Sequence, residues 1–289
     1  MEETKMLDSF QRVQVLIEAL PFIQQFAGRT IVIKYGGSAM KNKKLKSEII
    51  NDILFLSLVG IKPVLVHGGG PIINSWLQKL DIEPKFENGI RVTDQKTMEI
   101  VEMVLVGKVN KDLVTLLNKN NSCAIGLSGK DGNLIKASRL FDTDNNFVGK
   151  VNSVNTQLLN LLLNENYIPI IASTAADNEG QAYNINADTV AGAIATALKA
   201  EKLILLTDTP GIMYNIHDNN TLIRHLNIED ACQLKNQEII LGGMIPKIDC
   251  CINALKSSVK SAHIIDGRIE HALLLEIFTS EGIGSMIVN

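Results

Sequence analysis

The sequence lacks the marks of a metal-binding, secreted or membrane protein. Its four cysteines stand at positions 123, 232, 250 and 251, and none has the C-x-x-C spacing of a zinc or redox site. No apolar run approaches the roughly 18 residues that a membrane-spanning helix needs. The first ten residues are acidic and lack the apolar core of a signal peptide. We therefore expect a protein of a reducing compartment, with no membrane as partner.

The sequence also has no large excess of positive or negative charge. The 28 basic and 31 acidic residues give a net charge of −3, which argues against a nucleic-acid partner. Hydrophobic residues make up 46% of the chain, and such a composition with little net charge excludes intrinsic disorder. A small anionic ligand stays open, because a few lysines and glycines can bind one. The length predicts about two domains, or one large α/β unit.

Three common active-site motifs are absent from the sequence. There is no G-x-x-x-x-G-K-[ST], and no G-x-G-x-x-G follows a predicted strand. A nucleotide site must therefore be of neither the Walker nor the dinucleotide type. The HGGG run at 67–70 could suggest the oxyanion hole of a lipase, but the G-x-S-x-G turn that such enzymes need is missing.

Short apolar strands alternate with amphipathic helices along most of the chain. Strands are predicted at 30–35, 62–67, 122–127, 134–138, 168–172, 202–207, 262–266 and 284–288. Helices are predicted at 11–26, 44–59, 71–79, 97–119, 155–164, 187–199, 228–234 and 244–256. This alternation predicts an α/β fold with a mostly parallel sheet, whose ligands bind at the carboxyl ends of the strands.

The helix at 11–26 precedes the first strand and stands outside this alternation. Pro21 is expected to kink or restart it, because proline lacks the N–H of the helix ladder. Its apolar residues must pack on something, either its own domain or another subunit.

Three segments combine glycines with a basic residue at a strand end or a helix start. They are KYGGS at 34–38, HGGGP at 67–71, where the basic residue is a histidine, and GGMIPK at 242–247. Glycines allow backbone N–H groups to approach an anion, and a lysine adds a point charge for phosphate. For the first segment the alternative is a simple turn beside an exposed lysine, and His67 in the second is expected to be a packed turn residue rather than a ligand.

Three polar segments complete the candidate site. Arg91 lies in NGIRVTD (88–94), in a short loop segment before a helix, and an arginine fork suits a carboxylate. The segment NINAD (184–188) opens an alanine-rich helix, where Asn and Asp could also be only caps. TDTPG (207–211) ends a buried strand and could contact a nucleotide or form a plain turn.

Taken in order, these segments resemble the amino acid kinase family over residues 19–288. The resemblance implies a three-layer αβα sandwich on a mostly parallel sheet, with two lobes. Residues 28–183 would bind the acceptor acid. Residues 184–289 would bind ATP and end in an arginine-site segment, and residues 1–27 would form an interlacing helix.

The resemblance also assigns roles to single residues. Lys34 and Lys247 match the lysines that stabilise the transferring phosphoryl group, and Asp188 matches the aspartate that orients both. The substrate would contact Gly69, Gly70, Arg91 and Asn184, and the nucleotide would contact Gly36, Gly37, Thr207, Asp208 and Gly211. No protein metal site is implied, because Mg²⁺ arrives with ATP.

The branch of the family that is most similar phosphorylates the γ-carboxylate of N-acetyl-L-glutamate in arginine biosynthesis. Such a carboxylate is already ionised near pH 7, so no general base is needed. Members that act on aspartate, glutamate, carbamate or UMP are the alternatives within the family. A non-catalytic sensor of arginine or nucleotide is the alternative from another class.

The N-terminal helix and the C-terminal tail resemble those of arginine-inhibited, hexameric members built as trimers of dimers. His263, Glu276 and Gly282 match their arginine site, whereas Gln25 stands where such members often carry a basic residue. For His263 the alternative is a satisfied histidine at a strand edge. Relatives from cyanobacteria and plastids bind the PII signalling protein, which makes PII a candidate partner. The expected location is the cytoplasm, or the plastid stroma if the gene is plastid-encoded.

Overall fold

The architecture comes from a computed structural model that describes residues 9–40, 42–87, 89–119, 122–143 and 145–289. Residues 1–8 of the predicted N-terminal segment lie outside the described residues, as does Asn88, the first residue of the NGIRVTD segment.

The strands follow the predicted alternation, with additional short ones. They are β1 (Thr30–Tyr35), β2 (Lys62–His67), β3 (Phe86–Glu87), β4 (Ile90–Arg91), β5 (Ala124–Ser128), β6 (Ile135–Arg139), β7 (Gly149–Val154), β8 (Ile168–Ala172), β9 (Thr174–Ala176), β10 (Ala182–Asn184), β11 (Lys202–Thr207), β12 (His225–Asn227), β13 (Ser261–Asp266) and β14 (Ser285–Val288).

One large sheet runs through the molecule in the order β12–β14–β13–β11–β1–β2–β8–β5. Neighbouring strands in it are parallel except for β13 and β14. Its inner strands are buried on both faces, which is why they read as continuous apolar runs rather than alternating ones. The predicted fold class, α/β with a mostly parallel sheet, is confirmed.

Along the chain, the helices are interspersed among the strands. They are α1 (Ser9–Phe26), α2 (Lys43–Leu58), α3 (Gly70–Lys79), α4 (Gln95–Glu102), α5 (Asn110–Asn118), α6 (Gln157–Asn164), α7 (Ala187–Ala197), α8 (Ile228–Asn236), α9 (Met244–Ser257) and α10 (Ala272–Ile277). Helices α7 and α9 pack together over β1 and β11, while α2 and α5 pack together near β2 and β8. None of the helices in the described ranges is long and apolar enough to cross a membrane.

The long helix predicted at 97–119 is helical throughout but not α-helical throughout. Between α4 and α5, residues Met103–Val109 form a π-helical segment. A π-helical insertion shifts the faces of the two flanking helices relative to each other, and it occurs often near functional sites. Periodicity alone did not indicate it.

Two small sheets were not predicted in full. The order β10–β9–β6–β7 forms a four-stranded sheet, and β3 with β4 forms a hairpin. Strands β6 and β7 are consecutive and pair in antiparallel, so they form a hairpin. Strands β3, β4, β9 and β10 have two or three residues each, which is too short for a periodic signal.

Helix α1 is continuous through Pro21, so of the two predicted effects the restart is wrong, while the kink stays a prediction. The proline lacks the N–H that would bond within the helix, and its ring crowds the carbonyl four residues earlier. Phe26 at the end of the helix is buried, whereas Phe10, Leu16 and Ile17 are between 60% and 75% exposed. The helix therefore covers its own domain only at its carboxyl end and leaves an apolar surface on the rest.

Candidate active site

The glycine-containing turns meet at one edge of the large sheet. Lys34 is the last residue but one of β1, His67 closes β2, and Thr207 closes β11. Because β1 pairs in parallel with both β2 and β11, these three strand ends lie side by side. The structure therefore places Lys34, His67 and Thr207 together at the carboxyl ends of neighbouring strands.

Asp188 lies between two lysines from distant parts of the chain. Lys34 Nζ lies 2.9 Å from Asp188 Oδ1, as an ion pair, and Lys247 Nζ donates a 2.7 Å hydrogen bond to Oδ2. The backbone N–H of Asp188 donates to Oδ1 of Asn186, which is the N-cap of α7. Capping therefore explains Asn186, while the Asp188 side chain is left to the two lysines.

This lysine cluster (Lys34, Asp188 and Lys247) is largely withdrawn from water, with side chains 11%, 7% and 17% exposed. Burial lowers the pKa of Lys34, because its ammonium group loses hydration. Burial alone would raise the pKa of Asp188, but the charges of Lys34 and Lys247 outweigh it and lower that pKa. Two ammonium groups around one carboxylate leave an excess of positive charge, which suits an anionic ligand.

Arg91 lies on β4, not in a loop as predicted, and it is buried. Its Nη2 donates to Asn74 Oδ1 at 2.5 Å and to the Gly70 carbonyl at 3.4 Å. The guanidinium lies over the Phe86 ring, 4.8 Å from its centroid. Among the described residues Nη1 is buried without an acceptor. A planar donor held in this way can bind a carboxylate.

Asn184 is connected to Arg91 through one threonine. Its Nδ2 donates to Thr93 Oγ1 at 3.1 Å, and Thr93 Oγ1 donates to the Arg91 carbonyl at 3.0 Å. The structure therefore brings the predicted acid-binding residues together. Thr93 and Asn74 were missed, although Thr93 stands inside a quoted segment and Asn74 lies one helical turn after Gly70.

The four predicted glycines border these side chains. A Cβ at Gly36 would lie 3.2 Å from Lys34 Nζ, and Gly37 has a φ of +71°, which favours glycine. Gly69 is the N-cap of α3, and Gly70 is its first residue. The first pair therefore lies beside the lysine cluster and the second pair beside Arg91.

The residues assigned to the nucleotide divide between two places. Thr207 and Asp208 lie at the end of β11, where the Thr207 hydroxyl donates to Asp208 Oδ1 at 3.4 Å. Gly211 packs instead against β14, because a Cβ there would lie 2.6 Å from Ser285 Oγ.

The three residues assigned to arginine form one group near the C-terminus, in which His263 and Glu276 are buried and Gly282 is partly exposed. His263 Nδ1 donates to Glu276 Oε1 at 2.6 Å. Glu276 Oε2 accepts the N–H groups of Ile283 and Gly284, and a Cβ at Gly282 would lie 2.7 Å from that oxygen. His263 belongs to β13, which lies between β11 and β14, so it is not at a sheet edge.

Lys202 joins this group and was not predicted to. Its Nζ lies 3.1 Å from His263 Nε2 and 5.0 Å from the centroid of the Phe26 ring of α1. The available signal was a lysine at the start of the otherwise apolar strand β11. The group is therefore in contact with the N-terminal helix.

Comparison with known proteins identifies the family of the chain. The model of the amino acid kinase family matches residues 29–266. An acetylglutamate kinase of Gracilaria tenuistipitata var. liui is 68% identical over 284 residues, covering 98% of this chain and 100% of the relative. One of Thermosynechococcus vestitus is 61% identical over 283 residues, covering 98% of this chain and 96% of the relative.

Among solved structures, an N-acetylglutamate synthase from Neisseria gonorrhoeae, complexed with coenzyme A and N-acetyl-glutamate, has a TM-score of 0.85 and 26% identity. The match covers 98% of this chain but 64% of the synthase chain. The chain belongs to the amino acid kinase family and, within it, to the acetylglutamate kinases.

Proposed function

We propose that the lysine cluster catalyses transfer of the γ-phosphoryl group of ATP to the γ-carboxylate of N-acetyl-L-glutamate. The products are N-acetylglutamyl 5-phosphate and ADP, in arginine biosynthesis. The observation that carries the proposal is the pair of ammonium groups around Asp188, one buried and one partly buried, next to glycine turns and a buried arginine. The names of the relatives support the choice of acceptor acid.

The chemistry requires charge neutralisation more than proton transfer. The acceptor γ-carboxylate, with a reference pKa of about 4.3, is ionised at neutral pH and attacks the γ-phosphorus directly. As the new O–P bond forms, the bond to the β–γ bridging oxygen breaks and its electron pair leaves with ADP. Lys34 and Lys247 stabilise the negative charge that two approaching anions bring together, and Asp188 orients both lysines.

The acceptor acid binds mainly to residues 28–183. Arg91 offers its unpaired Nη1 to the carboxylate end of the substrate, and Asn184 lies beside it at the boundary of the second lobe. The backbone N–H groups of Gly69 and Gly70, at the start of α3, face the same ligand.

The nucleotide lies against residues 184–289, where Thr207, Asp208 and Gly211 form its loop. Gly36 and Gly37, from residues 28–183, lie at its phosphates. The two carboxylate oxygens of Asp188 lie 2.9 and 2.7 Å from Lys34 Nζ and Lys247 Nζ, so we assign this side chain to the lysines and not to a metal. We therefore assign Mg²⁺ to the phosphate oxygens of ATP, where it supplies further neutralisation when bound.

A coupled ADP-release assay tests the acceptor. We expect N-acetyl-L-glutamate to be preferred over glutamate, aspartate, carbamate and UMP by about 10²-fold or more in kcat/KM, since a site with buried polar groups rejects acids that leave them unpaired. A higher kcat/KM for another acceptor would contradict the proposal. Binding of ATP without turnover of any acceptor would favour the sensor instead.

Arginine is the proposed inhibitor, bound at the group of His263, Glu276 and Gly282. A buried glutamate beside a glycine backbone can accept a guanidinium group, and Lys202 connects the site to Phe26 of α1. The exposed apolar surface of α1 supports its proposed role in joining dimers into a homohexamer.

Millimolar arginine is expected to inhibit the wild-type enzyme, with a mass in solution that corresponds to six chains. Glu276→Gln should shift inhibition to higher arginine concentrations, because it removes the charge that pairs with a guanidinium. Glu165→Gln, at an exposed site after α6, is the control. Flat activity across millimolar arginine, together with a dimeric mass, would refute the regulatory site.

PII binding and plastid location complete the proposal. The relatives come from red algae and cyanobacteria, which is consistent with a plastid stroma or a bacterial cytoplasm. Purified PII should be retained on the immobilised enzyme but not on an immobilised unrelated protein, and this result would establish the partnership. No retention would leave arginine as the proposed regulator.

A further inference from the structure

His67 is buried at the active-site edge of the sheet, and the proposed mechanism does not use it. Its side chain is 0% exposed. Nδ1 lies 2.9 Å from the carbonyl oxygen of Gly68, and Nε2 lies 3.1 Å from Nδ2 of Asn110. Burial lowers the pKa of the ring to about 4, with Lys46 and Lys111 acting in the same direction and the Gly68 carbonyl opposing. The ring is therefore neutral at physiological pH.

The surroundings of Asn110 decide which nitrogen of that ring carries the proton. Asn110 Nδ2 lies 2.9 Å from the Ile170 carbonyl and 3.3 Å from the Leu127 carbonyl, and its Oδ1 accepts from Lys111 Nζ. Carbonyl oxygens only accept, so the amide nitrogen of Asn110 faces them, and its two N–H groups are shared among the two carbonyls and His67 Nε2. Because this NH₂ group only donates, His67 Nε2 must be the acceptor. The ring proton must then be on Nδ1, where it is donated to Gly68.

The position of Asn110 depends on its neighbours. Asn110 directly follows the π-helical segment, and a Cβ at Gly126 would lie 1.9 Å from its Oδ1, so only glycine fits beneath it. The same segment supports the glycine turn by packing, because a Cβ at Gly69 would lie 2.6 Å from Leu105 and 3.3 Å from Val109. One helical stretch thus contacts both His67 and the turn.

The hydrogen bond from His67 Nδ1 to the Gly68 carbonyl also orients the N–H of Gly69. The N–H of Gly68 donates to the Tyr35 carbonyl at 3.1 Å, so both sides of this residue are held. The described peptide bonds are all trans, and in a trans peptide the C=O and the following N–H point in opposite directions. Holding the Gly68 carbonyl therefore directs the N–H of Gly69, the N-cap of α3, away from the His67 ring.

We propose that His67 and Asn110 are positioning residues: Asn110 holds His67 with its proton on Nδ1, and His67 thereby orients the Gly69 amide toward the substrate. The first part rests on contacts within the chain. The second rests on the proposed function, in which Gly69 and Gly70 contact the acceptor acid.

Nitrogen-15 NMR of the histidine rings tests the first part on the intact enzyme. We expect His67 to show a protonated Nδ1 and an unprotonated Nε2 across neutral pH, with its signals identified by their loss in His67→Asn. A proton on Nε2, or a charged ring at neutral pH, overturns the inference. This result does not depend on the acceptor acid, so failure of the proposed function alone would appear separately, as an inactive wild-type enzyme.

Matched variants test the second part. Asn110→Ala is expected to lower kcat/KM for N-acetyl-L-glutamate by about 10²-fold, the cost of an ångström-scale misplacement. Asn118→Ala is the control, because Asn118 also bonds from α5 to β5, through Ala124, far from the turn. Equal kinetic loss in both variants would overturn the proposal.

Replacing His67 by Asn or by Gln tests the hydrogen bonds of its two ring nitrogens separately. The nitrogen of His67→Asn falls near the position of Nδ1 and can still donate to Gly68, so most of the activity should be retained. The nitrogen of His67→Gln falls near Nε2, and activity should fall as in Asn110→Ala. Equal kinetic parameters for the two variants would contradict the proposal, and the NMR result on the wild type stands even if one variant does not fold.

Discussion

Lys34→Ala and Lys247→Ala are each expected to lower kcat by about 10²–10³-fold, the cost of removing one preorganised group that stabilises transition-state charge. The two ammonium groups approach Asp188 at 2.9 and 2.7 Å in a site mostly closed to water, where their charges are screened little. Steady-state ADP release at saturating ATP and N-acetyl-L-glutamate measures the effect.

Each variant should stay folded, because Asp188 keeps the other lysine as its partner. Cooperative thermal unfolding of both variants would verify this. Lys108→Ala is the control: this lysine also pairs with one aspartate, Asp112, but its side chain is 57% exposed on the surface. Near-normal turnover in both active-site variants would refute the mechanism.

Asp188→Asn is expected to lower the free energy of unfolding by about 3 kcal/mol at neutral pH, near the lower end of the cost of breaking a buried ion pair, since Lys247 keeps some exposure. The amide leaves two ammonium groups close together without a counter-charge. It also removes the group that orients them, so turnover should fall together with stability. Denaturant unfolding and the ADP-release assay measure the two effects.

The loss of stability should depend on pH with a defined sign. Burial opposes ionisation of Asp188, but the two lysines outweigh it, so its folded pKa lies below the unfolded value of about 3.9. A group with a depressed carboxyl pKa stabilises the fold above the unfolded pKa, and this contribution is lost as pH falls through the folded pKa. The difference between wild type and Asp188→Asn should therefore be present at neutral pH and shrink as the pH falls below the unfolded pKa of about 3.9. A difference that grows on acidification would contradict the assignment.

The large sheet could be predicted because each of its strands carries its own signal. Strands such as Ile168–Ala172 are buried on both faces, so the apolar run in the sequence is the direct result of their position. Strands β9 and β10 have no such signal, because residues such as Asn184 and Thr174 become a strand pair only by meeting each other. The predicted restart of α1 at Pro21 failed because one missing N–H does not end a helix whose neighbouring turns are intact.

Parts of the active site could be predicted from local chemistry. Glycines after a strand and a lysine beside them indicate an anion site whatever the rest of the chain does. Asp188 was ambiguous, since an aspartate in the first turn of a helix is also expected as a capping residue. Its two lysines come from strand β1 and helix α9, and the family resemblance, not the spacing, connected them.

Composition, apolar runs and glycine turns determined the class of fold and predicted an anion site at the carboxyl ends of the strands, because each depends on residues that are near one another in the chain. The tertiary structure alone decided the partners of buried polar groups: Asn110 with His67, Thr93 with Asn184, and Lys202 with His263. The physical reason is that a buried polar group must find a hydrogen-bonding partner wherever packing places one, and packing joins segments that the sequence keeps far apart.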